Sequence, residues 1–328
     1  MAGSGTFGLC GKVCLCRRRT LFNEEIPRYH VVVSDEPLLS AILSIDELDP
    51  RDLTTLYLRC RREFRDLCKR AERVSRGSGG IFVESNRLAY AAVLFMRITV
   101  MAKSVRQLLP DCKPKEHWDF SAVASLTRNL AEAYLWYFWL CEDEVDSDVR
   151  QARFILLYCH DYGSRDRMFP DGRPPIDEDV VMADLVSRFD ANPYLVTFDA
   201  KQRREARKGH KSPFVQDEVL DRMGVDRNEF RSIYRFYSQH THTGPVAFTR
   251  IILEGHDRGS GVETAHEKRY MITAILYAIS VLESAIAGHL KLFPDAETRT
   301  PHLTDAEIIR NVERNQGRTK DKARKRLT

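Results

Sequence analysis

The chain has almost none of the apolar–polar alternation that marks strands, and this lack excludes a sheet-dominated fold. Only "YHVVVSD" (29–35) and "GPVAFTRIILEG" (244–255) read as strand-like. Long hydrophobic runs are also missing. The best, "MITAILYAISVL" (271–282), stops at Glu283, short of the roughly 18 residues that cross a bilayer. It reads as a buried helix. The opening "MAGSGTFGLCGKVCLCRRR" puts its charges after the apolar part, against signal-peptide order. A cytoplasmic protein with no membrane association is the expectation. Charge of one sign is scarce as well: 51 basic residues face 47 acidic ones, so overall charge does not argue for nucleic acid.

Several chemical motifs are absent too. There is no G-K-[ST] phosphate loop, no G-x-S-x-G nucleophile turn, no H-E-x-x-H and no C-x2-C, so no cofactor and no metal is expected. Cys10, Cys14 and Cys16 form C-x3-C-x-C, which has no evident fourth ligand and reads as part of an irregular N-terminal arm. Cys60, Cys68, Cys112, Cys141 and Cys159 are scattered through helical segments, and most are expected as buried thiols.

What is present is helical periodicity. Asp49 and Pro50 open a helix whose apolar residues recur at Leu53, Leu56, Cys60, Phe64, Leu67, Ala71 and Val74, one stripe at steps of three and four. "GSGG" (77–80) ends it, and Ser85 caps a second helix that runs to Leu109 before Pro110. A third, from about 119 to 141, carries "AYLWYFWLC"; its aromatic residues cover every face, so it must be central. A fourth follows through "DSDVRQARFILLYCHDY", in which His160 and Asp161 read as a helix end. The proline-rich 169–177 reads as a loop. Short helices over 177–190, 199–209 and 215–222 precede a longer one begun by Asp226. A Gly-rich loop, "EGHDRGSG" (254–261), leads to a last long helix over 262–292. The expected fold is mainly α, a multi-helix bundle with short irregular or β additions. Its helical domain spans 49–295, between the arm (1–48) and a basic tail (296–328).

Polar residues interrupt two of these helices. Arg128 and Glu132 stand four apart. In "YRFYSQHTHTGPVAF" (234–248), Arg235, Ser238 and His242 share one helical face, with His240 about 140° away from Arg235. His240 and His242 cannot both face one metal from a helix. Arg128, Glu132, Ser238 and His242 are expected to form a buried, mutually hydrogen-bonded network. "KQRREARKGHK" (201–211) offers Lys201, Arg203, Arg204, Arg207, Lys208 and Lys211 as candidate nucleic-acid contacts.

The R-x6-H spacing from Arg235 to His242, or R-x4-H to His240, resembles the motif of HEPN ribonucleases. That resemblance implies metal-independent RNA cleavage in a cleft usually composed across a dimer, with His242 catalytic, Arg235 its partner and Ser238 auxiliary. The chain carries Phe236 where that family commonly has a polar residue. A broader resemblance spans roughly 50–290. The R-x3-E helix, the later S-x3-H and the following Gly-Pro are similar to a family of mostly bacterial helical proteins of unknown function. The leading expectation is a partner-binding domain organised around the network; the other is the ribonuclease. A protein partner, RNA and a second copy of the chain are the candidate ligands.

Overall fold

The computed structural model describes residues 48–79, 85–113, 116–168, 178–253 and 264–299, with Glu307 and Arg310. Among these there are eleven α-helices, one π turn and no strand. The C-x3-C-x-C segment, 29–35, the loop 169–177, the Gly-rich loop 254–261 and the tail beyond Arg310 lie outside the described residues.

α1 (Pro50–Ser78) begins where Asp49 accepts from the Arg51 amide and Pro50 occupies the first turn. α2 (Asn86–Leu108) begins where Ser85 accepts from the Leu88 amide. Both starts follow from orphan amides that a short polar side chain can satisfy. α3 (Phe120–Tyr137) continues directly into the π turn Phe138–Glu142. α4 (Ser147–Met168), α5 (Glu178–Ala191), α6 (Pro193–Val196), α7 (Ala200–Lys208) and α8 (Gln216–Met223) form an outer group, followed by α9 (Arg227–Thr241), α10 (Pro245–Leu253) and α11 (Ala265–Leu292). α11 packs along α1 and also against α2 and α3; α9 covers another side of α3, and α7 lies on α4.

α11 is the axis. In its most apolar 18-residue window 72% of the residues are buried, against 33% in the corresponding window of α2. α3 is buried nearly all round, as its aromatic sequence requires, and the π turn explains its end. Trp139, Leu140 and Cys141 of that turn are consecutive and all buried, so the burial of α3 on all sides continues to its last residues. Gly288 of α11 leaves room here: a Cβ would lie 2.2 Å from a Glu142 carboxylate oxygen.

The strand-like reading of 244–255 is corrected, since Pro245–Leu253 is helical. Pro245 has no amide to lose at a first turn and its φ suits a helix. The alternation reflects one small buried residue, Ala247, between exposed Val246 and Phe248. The packed unit also passes the expected boundary at 295. Ala296 is fully buried, and Glu297 takes two hydrogen bonds, of 2.7 and 2.9 Å, from Arg70.

Candidate functional site

The seam between α3 and α9 is polar, and its centre is a tyrosine. Arg128 donates to the Tyr234 hydroxyl at 2.5 Å and lies 2.9 Å from Glu132. Tyr234 donates to the same Glu132 carboxylate. The Arg128 guanidinium carbon stands 4.6 Å from the centre of the tyrosine ring, close enough for cation–π attraction. Burial raises the Tyr234 phenol above its ordinary pKa, and the bond to Glu132 adds to this while Arg128 opposes it. Arg128 and Glu132 therefore meet as expected from their i,i+4 spacing.

The remainder of the expected network is not there. Ser238 donates to the Tyr234 backbone oxygen within its own helix. His242 is exposed at the C-cap of α9, and Arg235 is exposed too. Arg235, Ser238 and His242 do share a face, but it is the wrong one. α9 buries Phe230, Ile233, Tyr237 and His240, a stripe that lies about 150° around the helix from that face. The buried histidine is His240, 3% exposed. It shares a 3.1 Å hydrogen bond with Ser121 and sits edge-on to Phe120 and Phe236, at 4.7 and 4.9 Å. Phe236, at the departure from the ribonuclease pattern, thus walls in His240. The stripe Phe230-Ile233-Tyr237-His240 was the signal in the sequence for this phase.

A second polar cluster, around the π turn, has no precedent in the sequence reading. Asp143 is buried and takes hydrogen bonds from Arg153 at 2.6 Å and from Arg222 at 2.6 and 2.8 Å. Burial alone would raise its pKa, but the bonds from Arg222 and Arg153 outweigh that and hold it below the ordinary value. Three arginines also cap carbonyls of the turn. Arg87 donates to Cys141 at 2.7 Å, Arg150 to Asp143 at 2.9 Å, and Arg153 to Trp139. Carbonyls left bare where a helix ends attract cations.

The basic run 201–211 is largely neutralised at home. Arg203 and Arg207 both bind Asp190, Arg207 covers the Phe189 ring, and Arg204 and Lys211 each lie 3.8 Å from Glu205. Lys201 and Lys208 are exposed. His160, near the same place, bonds through Nδ1 to the Gly209 oxygen at 2.9 Å. Among the described residues no three His, Cys, Asp or Glu side chains converge on one point.

The α1–α2 hairpin is basic as well, with thirteen lysines and arginines against four acidic residues. α2 has no acidic residue at all. Its outer face exposes Val93 at 56%, Met96 at 52% and Val100 at 50%, spaced three and four apart so that they form one stripe.

Fold and sites together define an all-helical bundle protein with a polar interhelical seam and a basic, partly apolar outer face. Residues 88–260 match the family of unknown function DUF5677, and the chain belongs to that family. The matched span runs from α2 through α10 and includes Arg128, Glu132, Tyr234, Ser238 and His242. No curated protein and no solved structure matches the chain.

Proposed function

We propose that this protein is a helical binding module whose protein partner docks on the outer face of α2. The observation that carries this reading is the half-exposed stripe Val93-Met96-Val100 on a helix whose other face belongs to the core. Contiguous apolar surface of this kind disfavours a solitary monomer and suits an amphipathic helix. The hairpin's charge selects the partner's chemistry: apolar side chains at helical spacing, flanked by Asp or Glu. A second copy of the chain would bring like charges together.

The test is fluorescence anisotropy with a synthetic acidic amphipathic helix, alongside light scattering of the free protein. Binding should be saturable, should weaken with salt, and should be lost in Val93→Glu/Val100→Glu while the circular dichroism stays helical. Equal binding by that variant would refute the docking face. A dimer dissolved by the same variant would replace the acidic partner with a second copy.

A ribonuclease reading retains one supporting observation. Arg235 and His242 are both exposed on one face of α9, and His242 precedes a strained residue, Thr243, with φ of 51°; strain of this kind gathers at functional sites. Metal-free cleavage of single-stranded RNA by wild type, lost in His242→Ala, would carry that reading; no cleavage by wild type would end it.

A further inference from the structure

A cleft of about 550 Å³ lies between α1 and the end of α2, within the usual range for small-ligand pockets. From α1 it is lined by Leu58, Arg61, Arg62 and Arg65, residues at i, i+3, i+4 and i+7 that must share one helical face. Arg106 and Gln107 of α2 form the opposite wall, and Asp111 closes one end.

The four arginines are not equivalent. Arg61 is committed to the wall: its Nε donates to the Leu109 oxygen at 3.3 Å and its guanidinium pairs with Asp111. Asp111 is further neutralised by Lys113 at 2.8 Å. Among the described residues Arg65 pairs only with its sequence neighbour Asp66, at 3.2 Å on open surface, a weak tie. Arg62 and Arg106 have no ion-pair partner among the described residues. One guanidinium from each helix thus lines the cleft without an ion-pair partner among the described residues.

The loop that carries Asp111 is also held in place. Cys112 has φ of 61°, a backbone conformation that L residues other than Asn and Asp rarely adopt. The Glu116 carboxylate clamps this turn by accepting from the amides of Asp111 at 2.7 Å and Lys113 at 2.9 Å. The end of the cleft is thus a fixed surface.

We infer that this cleft is a binding site for a phosphate monoester, its dianion held between Arg62 and Arg106 and its organic part against Leu58 and Gln107. Two uncompensated guanidiniums match a group carrying close to two negative charges at neutral pH. Arginine's planar fork suits phosphate oxygens better than a lysine's point charge does. The wall formed by Leu58 distinguishes an ester from inorganic phosphate. This inference is independent of the docking stripe on α2, and half of the cleft, on α1, lies outside the family-matched residues.

The experiment is isothermal titration of the full chain with adenosine 5′-monophosphate, inorganic phosphate, adenosine, and a neutral peptide containing one phosphoserine. A saturable signal for the nucleotide or the phosphopeptide, absent for adenosine, is expected, and the tighter of the two identifies the source of the ester. Arg62→Ala and Arg106→Ala should each weaken it roughly tenfold or more. Arg62→Lys, which keeps the charge but loses the fork, should fall between. Arg204→Ala, on a different surface, should bind as wild type. Circular dichroism of each variant guards against misfolding. Absence of saturable binding to either ester at millimolar concentration, or binding unchanged by both alanine variants, would overturn the proposal.

Discussion

The guanidinium of Arg128 on α3 reaches the hydroxyl of Tyr234 on α9 at 2.5 Å, and both bind the Glu132 carboxylate. This triad, rather than Ser238 or His242, joins the two helices. Tyr234→Phe should therefore lower stability by about 1–2 kcal/mol in urea titration, since a partly buried charged pair loses a hydrogen bond. His242→Ala, an exposed change, should stay within about 0.5 kcal/mol. A larger loss for His242→Ala than for Tyr234→Phe would reverse that assignment.

Asp143 carries a heavier structural load. It is the shared anion for Arg153 and Arg222, and Asp143→Asn would leave a buried guanidinium without its charge partner. The expected cost is about 3–5 kcal/mol, seen as a clear fall in melting temperature. An unshifted melt would mean that the arginines are satisfied by the π-turn carbonyls alone.

His289 should make the protein sensitive to mild acid. It is fully buried, stacked on Phe95 with ring centres 4.0 Å apart, and hydrogen-bonded to Tyr137 at 3.2 Å. Burial pushes its pKa down to about 3. In the unfolded chain an ordinary histidine titrates near 6.5, so below that pH the unfolded state takes up a proton that the folded state refuses. The neutral ring's contribution is therefore present above about pH 6.5 and is lost as pH falls towards 3. Between pH 7 and pH 5 the loss should be about 2 kcal/mol. Urea titrations of wild type and His289→Gln at both pH values should show their difference shrinking by that amount; a constant difference would place the titration elsewhere.

Thr243 holds a left-handed turn that would suit glycine. The Gly244 amide reaches back to the Gln239 oxygen at 2.6 Å, the long bond of a Schellman helix end. A β-branched residue is strained there. Thr243→Gly should raise stability by about 1 kcal/mol, read from the urea midpoint. If cleavage of RNA is found, the same variant tests whether the strain serves it.

Much of this architecture was legible in the sequence. Asp49-Pro50, Ser85 and Asp226 mark helix starts, and the stripe from Leu53 to Val74 fixes the buried face of α1, because capping and periodicity act through neighbours along the chain. The pairing of Arg128 with Glu132 is equally local. The sequence also placed Arg235, Ser238 and His242 on one face, as they are, but a helical wheel has no absolute phase. The larger apolar stripe through Ile233 and Tyr237 turned that face to water and sent His240 inside.

What only the tertiary structure decided were matters of long-range encounter. Tyr234 meets Arg128 across 106 residues, Arg222 meets Asp143 across 79, and Arg106 lines the same cleft as Arg62 because two helices turn back on one another. Spacing along one helix cannot say which face a neighbour will cover, since that depends on how much apolar surface every other helix has to bury. The sequence determined the helices and their stripes; packing chose which charges remained without partners, and those are the charges proposed here to bind.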